Sequence, residues 1–105
     1  METQKISVLI RFKAKKGQTQ ALANHLVESA NLLTISEKGT EIFTISTTPI
    51  DPEAVYVYEV YSDAEAKILH ETGDLYTEIR FKTGEFLDGP PQVIPLVPIG
   101  GKGLL

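Results

Sequence analysis

The segment AVYVYEVY, residues 54–61, is the feature that most restricts the fold of this chain. Side chains alternate between the two faces of a strand, so Val57 and Glu59 share one face while Tyr56 and Tyr58 share the other. Valine and tyrosine favour strands, and apolar bulk on both faces indicates that both faces are covered. The segment therefore predicts a sheet strand that is packed on both sides.

The remaining segments switch between strand and helix periodicity. Strands are predicted over residues 6–12, 40–47 and 92–99, and helices over residues 18–36, 63–71 and 74–82. Pro95 and Pro98 each remove a backbone donor, which restricts the last strand to a sheet edge or to partial pairing. The order strand, helix, strand, strand, helix, strand predicts an α+β fold of the ferredoxin-like βαββαβ type. Such a fold has a four-stranded antiparallel sheet with helices on one face.

Local patterns also predict the faces and ends of the helices. Leu22, Leu26 and Leu33 recur at helical spacing, so one side of the first helix should lie on a core. Gly39 is predicted to cap the C-terminal end of that helix. Ser62 and Glu65 match a capping box at the start of the next helix.

The sheet face away from the helices would be bare in a monomer. Leu9, Tyr56, Tyr58 and Val60 are predicted to lie there, and a contiguous apolar patch of this kind marks an interaction surface. A second copy packed sheet to sheet covers it, and equal surfaces then meet across a two-fold axis. We therefore expect an isologous homodimer.

Length, charge and composition restrict the function. The 105 residues fit a single domain, 1–105, with a core at about 5–99 and a flexible tail at 100–105. A net charge of −4 provides no general basic field for nucleic acid. The chain has no cysteine, which excludes thiol catalysis, iron–sulfur clusters and cysteine zinc sites. Without a signal-peptide pattern or an apolar run of membrane length, we expect a cytoplasmic protein with no membrane partner.

An ordered set of short motifs runs through nearly the whole chain. It comprises a lysine-rich turn ending in Gly17, Gly39 before the second strand, Asp51-Pro52 before the third, the aromatic and glutamate run 56–61, Asp63, Ala66 and His70 after it, and Gly89-Pro90-Pro91 with Pro95 near the end. Over about residues 5–101 this set resembles the antibiotic biosynthesis monooxygenase family within the dimeric α+β barrels. The resemblance implies a ferredoxin-like domain, a homodimer and a small-molecule substrate.

The chain departs from that family at two positions. It has no tryptophan, whereas oxygenases of the family often have one where Tyr61 stands. Haem-degrading members place an asparagine on the first strand, where this chain offers Ser7. These two departures weaken the oxygenase activities that the resemblance implies, and they weaken haem degradation most.

Glu59, Tyr61 and His70 form the candidate catalytic set. Glu59 and Tyr61 lie two residues apart on one strand face, and His70 follows on the next helix. A carboxylate, a phenol and an imidazole in an apolar cleft suit proton transfer near neutral pH. The alternatives are structural: an ion pair for Glu59, core packing for Tyr61 and a favourable helix-end position for His70. His25 is expected on an exposed helix flank. Because the two histidines lie far apart in sequence and no carboxylates cluster with them, no metal site is predicted, and no cofactor is expected.

Three functions remain open from the sequence. The first is a cofactor-independent monooxygenase acting on a phenolic or quinol-type small molecule, whose deprotonated form reacts with oxygen directly; this mechanism is implied by the resemblance. The second is an isomerase or other proton-transfer enzyme on a small carbonyl compound. The third is a non-catalytic small-molecule-binding or stress-response protein. A wide apolar cleft would favour the first, a small polar one the second, and closure by Tyr61 and Leu69 the third.

Overall fold

A computed structural model describes residues 4–103, within which one four-stranded sheet and three helices form. The elements are β1 (Ile6–Lys13), α1 (Thr19–Ser36), β2 (Thr40–Thr48), β3 (Asp51–Tyr61), α2 (Ala64–Thr72), α3 (Asp74–Gly84) and β4 (Gln92–Leu96). The outermost parts of the expected domain and tail, residues 1–3 and 104–105, lie outside the described residues.

The sheet has the strand order β2-β3-β1-β4, and every neighbouring pair is antiparallel. On one side Glu59 of β3 lies opposite Val8 of β1, and on the other it lies opposite Phe43 of β2. This order and register confirm the predicted ferredoxin-like fold. They also place Glu59 in the middle of the sheet rather than at its edge.

β4 is an edge strand, as its prolines predict. Among the strands of the described residues, it pairs with β1 alone, where Pro95 lies opposite Val8. The strand ends at Leu96, three residues before the predicted end, because Leu96 already lies opposite Ser7 near the start of β1. Little of β1 is left for a longer β4 to pair with.

The core lies between the sheet and α1. One buried cluster contains Phe12, Ala14, Leu22, Leu26, Val55 and Val57. The predicted helical spacing is confirmed, since Leu22, Leu26 and Leu33 are each at most 2% exposed. Burial of a valine, leucine or phenylalanine side chain contributes about 1.5–3 kcal/mol, so this face of α1 fixes the helix on the sheet.

The loop after α1 approaches α2 very closely. Gly39 was predicted to cap α1, but Glu37 holds the capping position and Gly39 has no left-handed backbone. A Cβ atom on Gly39 would lie 2.6 Å from the Cβ of Ala66 on α2. Glycine is therefore required here by close packing, and this packing brings the loop against α2.

The cap of α2 is one residue later than predicted. The Asp63 carboxylate accepts a hydrogen bond from the backbone amide of Ala66 at 2.8 Å. The backbone amide of Ser62 instead donates to the carbonyl of Gly39 at 2.9 Å. Ser62 thus ties the loop after α1 to the start of α2, while Asp63 satisfies the free amides of the helix.

The sheet face opposite the helices is only partly covered. Its partly or largely exposed apolar side chains are Leu9, Tyr56, Tyr58, Ile94 and Leu96. Val60, which was expected among them, is fully buried within the single chain. Between residues 4 and 103, no helix is long and apolar enough to cross a membrane.

Candidate active site

β3 presents Glu59 and Tyr61 on the face that meets the helices. Glu59 is 6% exposed and Tyr61 is 1% exposed, although both carry polar groups. Their buried polar groups are hydrogen-bonded to each other, because the Tyr61 hydroxyl donates a hydrogen bond to Oε1 of Glu59. The two-residue spacing predicted a shared face, and the structure places both groups there.

His70 reaches the same place from the last turn of α2. Its side chain is buried, and its ring centroid lies 5.4 Å from that of Tyr61 and 5.1 Å from that of Tyr76, which it meets edge-on. The Nε2 atom lies 3.9 Å from Oε1 of Glu59, which is beyond hydrogen-bonding distance. The three residues predicted from the sequence therefore lie together.

Glu37 is a fourth member of this group that sequence reasoning missed. Its Oε1 atom lies 2.6 Å from Nδ1 of His70 and also accepts a hydrogen bond from Oγ1 of Thr40 at 2.8 Å. Glu37 lies in the loop after α1 and His70 lies on α2, 33 residues away, so no helix or strand period relates them. The one local feature of the sequence that could have pointed to Glu37 is Gly39, two residues later. Its close packing against α2 holds the loop that carries Glu37.

Burial controls the protonation of the strand pair. Desolvation raises the pKa of Glu59 above its ordinary value, while the Tyr61 hydrogen bond and the charge of His70 oppose that rise. Desolvation also raises the pKa of Tyr61 far above its ordinary value, and the nearby Glu59 charge and hydrogen bond add to it. Tyr61 therefore keeps its proton at neutral pH and serves as a donor to Glu59.

A cavity of about 380 Å³ lies beside this cluster, between the helix-facing side of the sheet and α3. Its apolar walls are Ile10, Phe12, Leu26, Phe43, Val57, Ile79, Leu87, Pro91 and Val93. Its polar side chains are Glu59, His70, Tyr76, Arg80 and Thr83. Tyr61, Leu69 and Glu37 do not line it, and Leu69 is 73% exposed. The cavity is thus mostly apolar, with His70 and Glu59 in its wall.

His25 is buried, contrary to the expectation of an exposed flank. It is 8% exposed, because α3 and the residues after it cover that side of α1. Its ring stacks on Phe86 at 5.7 Å, and Nε2 lies 2.9 Å from Oγ1 of Thr83. The Thr83 hydroxyl donates to the carbonyl of Ile79 at 2.6 Å, so Nε2 of His25 carries the proton and donates to Thr83.

The two histidines thus belong to separate surroundings. Within residues 4–103, no group of three or more histidine, aspartate or glutamate side chains is arranged to hold a metal ion. The chemistry that the cluster itself supports is proton transfer, through an imidazole placed between two carboxylates.

The sequence profile of the antibiotic biosynthesis monooxygenase family matches residues 5–80, which is more than half of the chain. This span includes Glu37, Glu59, Tyr61 and His70. The chain therefore belongs to the antibiotic biosynthesis monooxygenase family. No functionally curated protein matches it by sequence.

Solved structures support the same fold. A candidate antibiotic biosynthesis monooxygenase from Chloroflexus aurantiacus superposes with a TM-score of 0.81 at 23% identity, covering 95% of this chain and 98% of that one. A second such protein, from Caulobacter crescentus, gives 0.86 at 16% identity, with 94% and 93% covered. A protein of unknown function from Nitrosomonas europaea gives 0.79 at 24% identity, with 97% and 96% covered. At these identities the likeness concerns the fold alone.

Proposed function

We propose that this protein is a cofactor-independent monooxygenase that oxidises a phenolic or quinol-type small molecule. The observation that carries the proposal is the apolar cavity with His70 and Glu59 in its wall. Family membership supports an oxygenase of this general kind. Glu59, Tyr61 and His70 are the proposed catalytic group.

The size and lining of the cavity favour an aromatic substrate. A cavity of about 150 Å³ lined by apolar side chains is enough to bind benzene, and the cavity here is about 380 Å³. This volume suits two or three fused rings, and its walls are mostly apolar rather than hydroxyl-binding. A sugar-like substrate would find few polar partners. Since Tyr61 and Leu69 do not close the cavity, a sealed non-catalytic module is less well supported.

In the proposed mechanism, the ring of the substrate lies on the apolar floor and its hydroxyl points to Nε2 of His70. His70 takes the phenolic proton, and Glu59, held by Tyr61, faces the positive charge that forms. A carbon of the electron-rich phenolate then bonds to one atom of O₂. The imidazolium of His70 returns its proton to the outer oxygen of the peroxide that forms. Loss of the proton from that carbon then breaks the O–O bond and makes the second carbonyl of a quinone, and the departing hydroxide takes up the released proton to give water. One phenol and one O₂ thus give one quinone and one water, and the substrate supplies all the electrons.

Oxygen consumption and quinone absorbance test this proposal with a panel of phenols, naphthols and hydroxyanthracenes. The wild-type protein should turn over at least one member, and His70→Ala should lose about 10²- to 10⁴-fold in kcat, the usual contribution of a general base. His25→Gln is the matched control, because it replaces the other histidine and its amide can still donate to Thr83. Circular dichroism checks that each variant is folded. Turnover that is equal in wild type and His70→Ala would contradict the proposed site.

The alternative function is an isomerase or another proton-transfer enzyme acting on a small carbonyl compound. The observation that favours it is the His70–Glu59 pair itself, which can move protons without oxygen. Deuterium exchange into small diketones under nitrogen separates the two functions. Exchange that depends on His70, combined with no oxygen uptake on any phenol, would support the alternative.

We further propose that the protein forms a homodimer by sheet-to-sheet packing. The partly exposed apolar side chains opposite the helices, defined above, form a surface that a second copy would cover. Light scattering at micromolar concentration should give twice the chain mass of 11.5 kDa. Tyr58→Glu should give the monomer mass, whereas Ile68→Glu, at a 58% exposed apolar residue of α2, should not. A monomeric wild type would refute this proposal.

A further inference from the structure

The two ring nitrogens of His70 face different carboxylates on opposite sides. Nδ1 lies 2.6 Å from Oε1 of Glu37, within hydrogen-bonding distance, whereas Nε2 lies 3.9 Å from Oε1 of Glu59, outside it. His70 and Glu59 line the cavity, but Glu37 does not. Glu37 therefore lies behind the imidazole as seen from the cavity, where it touches His70 and no bound substrate.

We propose that Glu37 is a positioning residue that sets the tautomer of His70. A carboxylate only accepts hydrogen bonds, so the short contact requires the proton of the neutral imidazole to be on Nδ1. The lone pair is then on Nε2, which faces the cavity and Glu59. The role of Nε2 as a base rests on the proposed function, whereas the tautomer itself does not.

Two features of the surroundings hold Glu37 in this role. Oγ1 of Thr40 donates to the same carboxylate oxygen at 2.8 Å, which fixes the acceptor from a second direction. The close contact of Gly39 with Ala66 holds the loop against α2. When Nε2 takes a proton, the positive imidazolium remains hydrogen-bonded to Glu37, so the carboxylate stabilises the charged form that the reaction requires.

A purely structural role for Glu37 makes a different prediction. As a tie between the loop after α1 and α2, Glu37 would contribute stability and leave the tautomer of His70 to its other surroundings. Loss of Glu37 would then lower the melting temperature without changing the ring nitrogens of the folded protein. The two roles are therefore separated by a spectroscopic measurement on the folded state.

The chain contains only two histidines, which makes that measurement direct. Long-range ¹H–¹⁵N NMR of the ¹⁵N-histidine protein, at a pH where both rings are neutral, reports which nitrogen carries the proton. We expect opposite tautomers: Nδ1–H for His70, and Nε2–H for His25, which donates to Thr83. The loss of one set of signals in His70→Ala assigns the spectrum.

Glu37→Leu provides the perturbation, because it removes the acceptor that holds the proton on Nδ1 and offers no hydrogen bond in its place. We expect the His70 signals to shift toward the Nε2–H tautomer while the His25 signals stay unchanged. Glu37→Asp keeps a carboxylate and should restore part of the wild-type pattern. Glu41→Leu is the matched control, since it removes a carboxylate of β2 that pairs with Lys5 and does not contact His70. Unchanged His70 signals in a folded Glu37→Leu variant would overturn the proposal, as would an Nε2–H tautomer in the wild type.

Kinetics then connect the tautomer to turnover. On a phenol that the wild type oxidises, Glu37→Leu should lower kcat by at least about tenfold, with KM changed less, because the base rather than the binding surface is affected. Equal kcat values in Glu37→Leu and wild type would reject the positioning role while the oxygenase proposal stands. If no phenol is oxidised at all, the oxygenase proposal fails, and the NMR result alone still decides the tautomer.

Discussion

His25 and His70 occupy two regions that look alike by burial and differ in chemistry. Both lie on helices, and they are 8% and 4% exposed. His25 stacks on Phe86 and donates to a hydroxyl that is itself bonded to a backbone carbonyl. His70 has a carboxylate at each nitrogen and lines a cavity.

The difference shows what distinguishes a candidate catalytic histidine from a core histidine. Burial without a carboxylate partner disfavours the charged ring, so desolvation lowers the pKa of His25 below its ordinary value. The partners of His70 instead supply negative charge on both sides, and the cavity gives a ligand access to it. Carboxylate partners and access, rather than burial, mark the site.

Gly39→Ala should have the largest effect on the difference between the two histidine regions, because it disturbs the loop that gives His70 its second carboxylate. The new Cβ would lie 2.6 Å from that of Ala66, and overpacking of this kind costs about 1–3 kcal/mol of unfolding free energy. Urea unfolding measures this cost. Gly84→Ala is the control near His25, since a Cβ there meets nothing within 4 Å, and it should change stability by less than about 0.5 kcal/mol.

The same pair of variants has an NMR readout. The His70 ring signals should move in Gly39→Ala as Glu37 shifts, while the His25 signals should stay in place. If stability changes by less than about 0.5 kcal/mol in both variants and both histidines are unaffected, the contact with Ala66 relaxes without cost and does not set the position of Glu37.

Tyr61→Phe should have a more local effect, confined to the surroundings of His70. The change removes the hydrogen bond to Glu59 and leaves a buried carboxyl oxygen without its partner, at a cost of about 1–3 kcal/mol. That cost lies at the lower end if a water molecule takes the place of the hydroxyl. Tyr76→Phe is the matched control for stability, because within residues 4–103 no hydrogen bond of its hydroxyl is present. Equal urea midpoints for the two variants would argue that the bond from Tyr61 contributes nothing.

The sequence predicted those parts of the fold that depend on periodicity. Alternation along residues 54–61 placed Glu59 and Tyr61 on one face, and helical spacing identified Leu22 and Leu26 as core, because burial repeats with the period of each element. Prolines predicted the edge position of β4 because they remove ladder donors. The cluster of Glu59, Tyr61 and His70 followed from these elements.

The remaining features of the fold and the site depend on contacts between distant residues, which helix and strand periodicity does not predict. Glu37 meets His70 across 33 residues through a loop whose path is set by one close glycine contact. The burial of His25 depends on how α3 packs against the flank of α1, which the pattern of α1 alone does not contain. At the start of α2, both Ser62 and Asp63 are good capping residues, and only the backbone conformation decides between them.

The finest distinction between the two regions is the direction in which pH changes their contribution to stability. Burial raises the pKa of Glu59 above its ordinary 4.5, so above that pH the folded state holds a proton that the unfolded state has lost. Stability therefore falls as pH rises through this window. Burial lowers the pKa of His25 below its ordinary 6.5, so below that pH the unfolded state binds the extra proton. Stability therefore falls as pH decreases through that window.

Glu59→Gln and His25→Gln should separate these two contributions. Relative to wild type, Glu59→Gln should gain stability as pH rises above 4.5, whereas His25→Gln should gain stability as pH falls below 6.5. Urea midpoints between pH 4 and 8, at constant m-value, measure both differences. The proposed mechanism also predicts that Glu59→Gln is less active, because the change removes the carboxylate that faces the positive charge on His70. If both variants instead gained stability in the same direction of pH, protonation would affect the two regions alike. The chemical contrast between them would then depend on access to the cavity alone.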